Sequence, residues 1–214
     1  MILSRLRLHP RNLAVLRDVA DVRDLHRTVM RGFSDQAGEA PRAQFGVLFR
    51  LETRPDLILL VQSLADPRWE RLPEGYVLEA ECKRSDSVLD AAQPGRSLRF
   101  RLVANPSRKT KTVRPGEKAP RNSRRVALAG DDERLDWLIR RGESGGFAVS
   151  HELRIDPLRP FEETGRRRDR IYVRPVRYEG VLRVTDPERF RTSLSEGIGP
   201  AKAYGCGLLS IARM

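Results

Sequence analysis

A single histidine lies among regularly spaced arginines in VRDLHRTVMRGF, residues 22–33. Projected as an α-helix, this segment places its apolar residues along one stripe, and Arg23, Arg27 and Arg31 along a basic ridge beside it. His26 falls on the border between the two faces. Because neighbouring arginines hold an imidazole neutral near pH 7, His26 could transfer a proton beside a bound phosphate. The alternative interpretation is an ordinary histidine at the boundary of a helix.

Attack by the 2′-hydroxyl of RNA on its own backbone is the chemistry that such a histidine could support. The reaction needs a base for the hydroxyl, an acid for the departing 5′-oxygen, and cations for the developing charge. His26 could transfer protons, while Arg27 and Arg31 could supply the cations. No histidines, cysteines or carboxylates have metal-ligand spacing, so we expect no metal site and no cofactor.

A glycine-rich segment, GIGPAKAYGCG at residues 197–207, is the second candidate for binding. It matches neither the dinucleotide fingerprint G-x-G-x-x-G nor a Walker A loop. Gly199 and Gly205 would allow close approach of the backbone or a positive φ, and Lys202 would add a charge for an RNA phosphate. Pro200 suits the first position of a short helical turn that Gly205 would end. The alternative is a tight connection between a helix and the closing strand.

The charge of the chain favours a polyanionic partner. Its 214 residues include 41 lysines and arginines against 29 aspartates and glutamates, for a formal net charge of +12. With aromatic residues at only 6%, contacts to a nucleic-acid backbone should dominate over base stacking. The sequence shows no membrane-span pattern and no signal-peptide core, so we expect a cytoplasmic protein that binds nucleic acid and no membrane.

The order of predicted elements divides the chain into two similar units. In the first unit, strand patterns cover residues 2–8, 45–51, 57–63 and 76–83, and helical patterns cover 12–33 and, weakly, 66–75. This order is the ferredoxin-like plan. It recurs with strand patterns at 97–104, 146–155, 170–185 and 208–212, and helices at 131–141 and 187–196. We predict an α+β fold of two tandem ferredoxin-like (RRM-like) domains with antiparallel sheets, residues 1–92 and 96–214.

Two basic insertions interrupt the second unit, at residues 105–126 and 165–174. Each carries only one acidic residue among its lysines and arginines. A charge run is usually a solvated loop, but two such runs beside a glycine-rich loop favour a surface for nucleic acid. The predicted RNA-binding residues of the insertions are Arg108, Lys109, Lys111, Arg114, Arg166, Arg167 and Arg168, and the histidine helix adds Arg23.

Four segments together resemble the CasE family, the CRISPR repeat-processing endoribonucleases of type I-E Cascade complexes. They are GIGPAKAYGCGLLSI at 197–211, RLVANP at 101–106, HRT at 26–28 and YEGVLRVTDPERF at 178–190. The resemblance implies metal-independent cleavage of precursor RNA at the 3′ base of a repeat hairpin, which leaves a 2′,3′-cyclic phosphate. It also implies that the protein stays on the processed crRNA and joins the other Cascade subunits.

The resemblance assigns a catalytic role to His26, and Arg31 occupies the place of a basic residue that contributes in some members. The chain departs from the family at Arg23, where a tyrosine is frequent. A guanidinium can steady a phosphate but cannot serve as a base, so the assignment of acid and base stays open.

Two other functions are open from the sequence. One is a non-catalytic RNA-binding subunit of the same architecture, in which His26 is structural. The other is a basic ribosome-associated protein, which the glycine-rich terminal motif disfavours. Cleavage of a repeat hairpin RNA in EDTA separates the endoribonuclease from both.

Overall fold

Two antiparallel sheets, one in each half of the chain, organise the protein. The computed structural model describes residues 1–33, 41–84, 90, 92–110, 124–164 and 170–214. In the first sheet the order is β2–β3–β1–β4. These strands are β1 (Ile2–Leu8), β2 (Leu48–Glu52), β3 (Ile58–Ser63) and β4 (Val77–Arg84). The helices between β1 and β2 are α1 (Leu13–Ala20), α2 (Val22–Arg31) and α3 (Pro41–Gln44), and a 3-10 turn at Trp69–Arg71 connects β3 to β4.

The helix predicted over residues 12–33 is divided into α1 and α2 at Asp21. This residue has extended backbone angles, φ −130° and ψ 109°, which end α1. Its carboxylate accepts a hydrogen bond from the Arg23 amide and so caps the start of α2. An aspartate in the middle of a helical pattern therefore acts as a boundary, because its side chain satisfies an otherwise unpaired amide.

The second sheet repeats the strand order of the first. Its order is β13–β5–β12–β8, with β9 also paired to β12. These strands are β5 (Ser97–Ala104), β8 (Phe147–Val149), β9 (Arg154–Pro157), β12 (Val176–Val184) and β13 (Leu209–Arg213), and the helices are α4 (Asp131–Gly145) and α5 (Pro187–Glu196). In the first sheet β1 and β3 are central and β2 and β4 lie at the edges; in the second sheet β5 and β12 are central, and β8 and β13 lie in the positions that match β2 and β4. This is the ferredoxin-like plan, so the predicted tandem α+β fold class is confirmed; the domain limits 1–92 and 96–214 stay a prediction.

Two predicted strands of the second unit are each divided in two. The pattern at 146–155 forms β8 and β9, and the pattern at 170–185 forms a hairpin strand followed by β12. The basic insertions form hairpins of their own, whose strands are β6 (Ser107–Thr110) with β7 (Arg124–Ala127), and β10 (Phe161–Thr164) with β11 (Arg170–Val173). Five predicted RNA-binding residues, Lys111, Arg114, Arg166, Arg167 and Arg168, lie outside the described residues.

Buried polar side chains connect the two ferredoxin-like units. The Gln62 amide donates to the carbonyls of Leu194 at 2.7 Å and Ser195 at 3.3 Å. The Arg50 guanidinium donates to the carbonyls of Arg101 at 3.3 Å and Leu208 at 3.2 Å. Because these bonds run from strands of the first sheet to α5, to β5 and to the residue directly before β13, they fix how the second unit meets the first.

Across the described ranges, no helix is both long and apolar enough to cross a membrane.

Candidate functional site

His26 lies on α2 at the edge of the core of the first unit. Leu25, Val29 and Phe33 of the same segment are buried in that core, as the predicted apolar stripe requires. The His26 ring is half-buried and stacks on Phe49 of β2, with ring centroids 6.0 Å apart and an interplanar angle of 18°. The predicted border position is confirmed, and the stacked ring holds the imidazole in one orientation.

The surroundings of His26 disfavour its charged form. Burial, then the charge of Arg42 and then that of Arg27 lower the pKa of His26 below its ordinary value of 6.5. The imidazole is therefore neutral near pH 7. Its Nδ1 is buried and meets no hydrogen-bond partner among the described residues, which leaves Nε2 as the nitrogen that can exchange a proton with a substrate.

The arginines of the predicted ridge have different surroundings. Arg23 pairs with Asp21 at 3.2 Å, beside the cap of α2. Arg27 is exposed and its guanidinium donates to Asp24 over 2.6 Å. Arg31 is exposed at the last position of α2. The ridge therefore exists on the helix, with Arg23 and Arg27 oriented by neighbouring carboxylates.

The glycine-rich segment connects α5 to β13 and contains a 3-10 turn at Lys202–Tyr204. Gly199 has φ +80° and Gly205 has φ +73°, so the prediction of positive φ at both is confirmed. Gly205 ends the turn as predicted. Pro200 does not begin it: the turn starts two residues later, because Ala201 takes a left-handed conformation that interrupts the helical path.

The glycine-rich segment packs against β2 of the first unit. Its 3-10 turn contacts both α2 and β2, and a Cβ on Gly205 would lie 3.5 Å from the Phe49 ring. Since Phe49 also stacks on His26, the turn and the histidine helix both contact the same aromatic side chain. The structure thus brings Lys202 and His26, which lie near opposite ends of the chain, into one region.

Arg42 is the charged residue of this region that the sequence analysis missed. It is half-buried, and its Nη1 donates to the Val47 carbonyl over 3.1 Å. After burial, the charge of Arg42 is the largest influence that lowers the pKa of both His26 and Lys202. Arg42 belongs to no motif and lies well beyond the histidine helix in the chain, so only the path of the chain into β2 could reveal it.

The remaining predicted residues lie in the second unit. Arg108 and Lys109 are exposed on β6, and Arg108 forms a 3.6 Å ion pair with Glu133 of α4. Gly199 lies directly against the ring of Trp137, also on α4. Within the described part of the chain, no three histidine, cysteine or carboxylate side chains are grouped as a metal site would require.

The sequence and the structure are both similar to those of known CRISPR proteins. A family model described as CRISPR associated protein matches residues 1–213. The chain is 37% identical over 225 residues to the CRISPR-associated endoribonuclease Cse3 of Thermus thermophilus, across 99% of this chain and 100% of that protein. It is 32% identical over 133 residues to the CRISPR system Cascade subunit CasE of Escherichia coli, across 56% of this chain and 60% of that protein.

Among solved structures, that of CRISPR endoribonuclease Cse3 bound to a 19-nucleotide RNA is similar over almost the whole chain. The TM-score is 0.78 at 35% sequence identity, with coverage of 99% of this chain and 98% of that one. These similarities confirm the resemblance that the four sequence segments indicated.

Proposed function

Since the chain belongs to the family of CRISPR associated proteins, we propose that it is an endoribonuclease that binds the hairpin of CRISPR repeat RNA and cuts the precursor at the 3′ base of that hairpin. The observation that carries this proposal is a neutral, oriented histidine beside two half-buried cations, Arg42 and Lys202. The similarity to an RNA-bound endoribonuclease structure supports it.

Neutral His26 acts as the base of the reaction. Its Nε2 accepts the proton of the 2′-hydroxyl, whose oxygen attacks the adjacent phosphorus. The bond to the 5′-oxygen breaks, that oxygen takes up a proton from water, and the upstream product ends in a 2′,3′-cyclic phosphate. His26 then returns its proton to solvent. Arg27 and Arg31 add positive charge on the exposed side of α2, where the phosphate gains charge as the bond forms. This chemistry needs only RNA and side chains, and it agrees with the metal-independent cleavage that the family resemblance implies.

The product and its partners follow from the same relatives. We propose that the protein remains on the crRNA hairpin and joins the other subunits of a type I-E Cascade complex, as the name of the relative from Escherichia coli indicates for that protein. We also place the protein in the cytoplasm, where a precursor RNA substrate is transcribed.

Incubation with end-labelled repeat hairpin RNA in EDTA tests the proposed function. We expect one cut at the 3′ base of the hairpin and a cyclic phosphate on the upstream fragment. An RNA with 2′-deoxyribose at the cleavage site should bind and stay intact, because it lacks the nucleophile. If the natural RNA binds tightly and also stays intact, the protein is a non-catalytic RNA-binding subunit.

The exposed basic residues of β6 should contribute to RNA affinity through the phosphate backbone. Replacement of Arg108 and Lys109 by alanine, alone or with Lys111, should flatten the plot of log affinity against log salt by about 0.7–0.9 for each lost contact. Filter binding over a salt series measures this slope. As a control, alanine at Arg5 and Arg7, which are partly exposed and face Glu81 and Glu79, should leave it unchanged. If the slope for the Arg108 and Lys109 variant equals the slope for the Arg5 and Arg7 control, strand β6 is only exposed to solvent and does not contact the RNA.

Two substitutions in the glycine-rich segment should separate binding from folding. Lys202→Ala should weaken hairpin binding by about 1 kcal/mol and leave the melting temperature unchanged, since only a charge near phosphate is lost. Gly205→Val should lower both binding and melting temperature, because a β-branched residue is strongly disfavoured at φ +73°. If Lys202→Ala binds normally while Gly205→Val melts early, the segment is only a structural connection.

A further inference from the structure

We propose that Arg42, together with Lys202, binds the phosphate at which the RNA is cut and holds it beside His26. This inference rests on the proposed function and deepens it, because it names a catalytic residue outside every motif of the sequence.

Two hydrogen bonds fix Arg42 at the entry to β2. Its guanidinium donates to the Val47 carbonyl over 3.1 Å, and its own carbonyl accepts from the Val47 amide over 2.9 Å. Two residues further along, Phe49 stacks on the His26 ring. The same short stretch of chain therefore anchors the guanidinium and orients the imidazole.

Lys202 belongs to the second unit, but the turn that carries it packs against the first unit. The 3-10 turn that carries it contacts α2 and β2, and Gly205 at its end lies against the Phe49 ring. The charge of Arg42 acts on Lys202 as well as on His26. The charge of Arg42 therefore acts on a residue of the histidine helix and on a residue of the glycine-rich segment.

Neither cation has an adequate anionic partner within the described ranges. Burial lowers the pKa of Arg42, and no described carboxylate opposes this effect. Burial and then the charge of Arg42 lower the pKa of Lys202, and Glu196 opposes them only in part. Placing cations together away from water without an anion is unfavourable. A bound phosphate supplies the anion, and a guanidinium can contact two of its oxygens at once.

Arg42 would then serve the reaction in two ways. Its guanidinium would stabilise the charge that grows on the non-bridging oxygens as the 2′-oxygen attacks. Its charge also keeps His26 neutral and able to accept a proton. Among the described residues, the charged groups that act on His26 are Arg27 on α2 and Arg42 on α3, and its neighbour on β2 is the uncharged Phe49. Lys202 lies on the turn that contacts α2.

Single-turnover cleavage of repeat hairpin RNA by Arg42→Gln, at saturating protein and over a pH series, tests the proposal. We expect cleavage to slow by at least about fiftyfold, since a donor to the developing charge is lost. The acidic limb of the rate profile should move to higher pH, because removal of a cation raises the pKa of His26. Arg42→Lys should keep the wild-type pH profile with a reduced rate, because the charge remains and the paired donors do not.

Arg71→Gln is a matched control, since Arg71 is also half-buried and donates to a main-chain carbonyl, that of Phe33. It should change neither rate nor pH profile. A wild-type rate and an unmoved acidic limb in Arg42→Gln would overturn the proposal. Thermal melts show whether Arg42→Gln folds. If it does not, Arg42→Lys decides the question: a reduced rate with an unmoved acidic limb supports the phosphate contact, and a wild-type rate of Arg42→Lys rejects it.

Binding of an RNA with 2′-deoxyribose at the cleavage site gives a separate measurement. Arg42→Gln should bind it at least about fivefold more weakly than the wild type does, and equal binding would also overturn the phosphate contact. Because this measurement needs no cleavage, it tests Arg42 even if the wild-type protein proves inactive, an outcome that would contradict the proposed function instead.

Discussion

Replacement of His26 by alanine is expected to slow cleavage of repeat hairpin RNA by at least about a hundredfold, the usual range for loss of a positioned base. The reason is that His26 is neutral, oriented by Phe49 and adjacent to the cations of the site. RNA affinity should change little, because a neutral imidazole adds little to phosphate binding. Single-turnover rates at saturating protein in EDTA, with affinities from an uncleavable 2′-deoxy RNA, measure both quantities.

The pH dependence of the wild-type protein provides a second test of the same residue. Burial and neighbouring cations lower the pKa of His26 below 6.5, so its basic form predominates near pH 7. If His26 is the base, the rate rises with pH through a midpoint below 6.5 and then levels off. A rate that falls over this range would show that the protonated histidine acts as the acid.

The exposed His151 provides the matched control for His26. His151→Ala should cleave at the wild-type rate with the wild-type pH profile. Cleavage by His26→Ala at the wild-type rate would remove this residue from the mechanism.

The second large effect is expected at the junction of the two units. Arg50→Ala should lower the free energy of unfolding by about 3 kcal/mol, because a buried charged group is removed from a paired network. The Arg50 side chain is only 4% exposed, and it pairs with Glu52 at 2.8 Å. Its loss also leaves the carbonyls of Arg101 and Leu208 without these hydrogen bonds. Urea unfolding measures the change in stability.

Arg50→Ala should also slow RNA cleavage, because Leu208 directly follows the glycine-rich segment that packs beside His26. Arg99→Ala is the control, since Arg99 is exposed on β5 of the same junction region. It should unfold and cleave as the wild type does. Wild-type stability of Arg50→Ala would mean that its hydrogen bonds contribute nothing net, and that other contacts hold the units together.

Several elements could be predicted from local sequence because local interactions determine them. The alternating apolar residues of β1 and β5 produced the observed limits, Ile2–Leu8 and Ser97–Ala104. The limits of α5 were also predicted correctly, since Asp186 caps the first turn and Pro187 begins it. The position of His26 at the border of an apolar stripe follows from helical periodicity alone. Each of these features depends on residues within a few positions of one another.

Other boundaries depend on contacts that the local pattern does not contain. The apolar pattern at 146–155 continues across two strands, because β8 and β9 pair with different parts of β12. Pro200 has the right type for a helix start, yet Ala201 adopts φ +66° and delays the turn to Lys202. Ala201 packs against a small cluster that contains Val103, Val173 and Cys206, contacts that the local pattern does not contain.

The sequence by itself determined the fold class, the family and the two segments that form the candidate site, because periodicity, charge and glycine spacing are properties of the chain. The tertiary structure decided which side chains meet. Phe49 and Arg42 belong to no sequence motif. They lie near His26 because the chain enters β2 beside α2. Lys202 joins them because the glycine-rich segment packs on β2 across the junction of the units. The neutral state of His26 was predicted from neighbouring arginines, and Arg27 does contribute to it. Burial and then Arg42 lower its pKa more, and both of these depend on the tertiary structure.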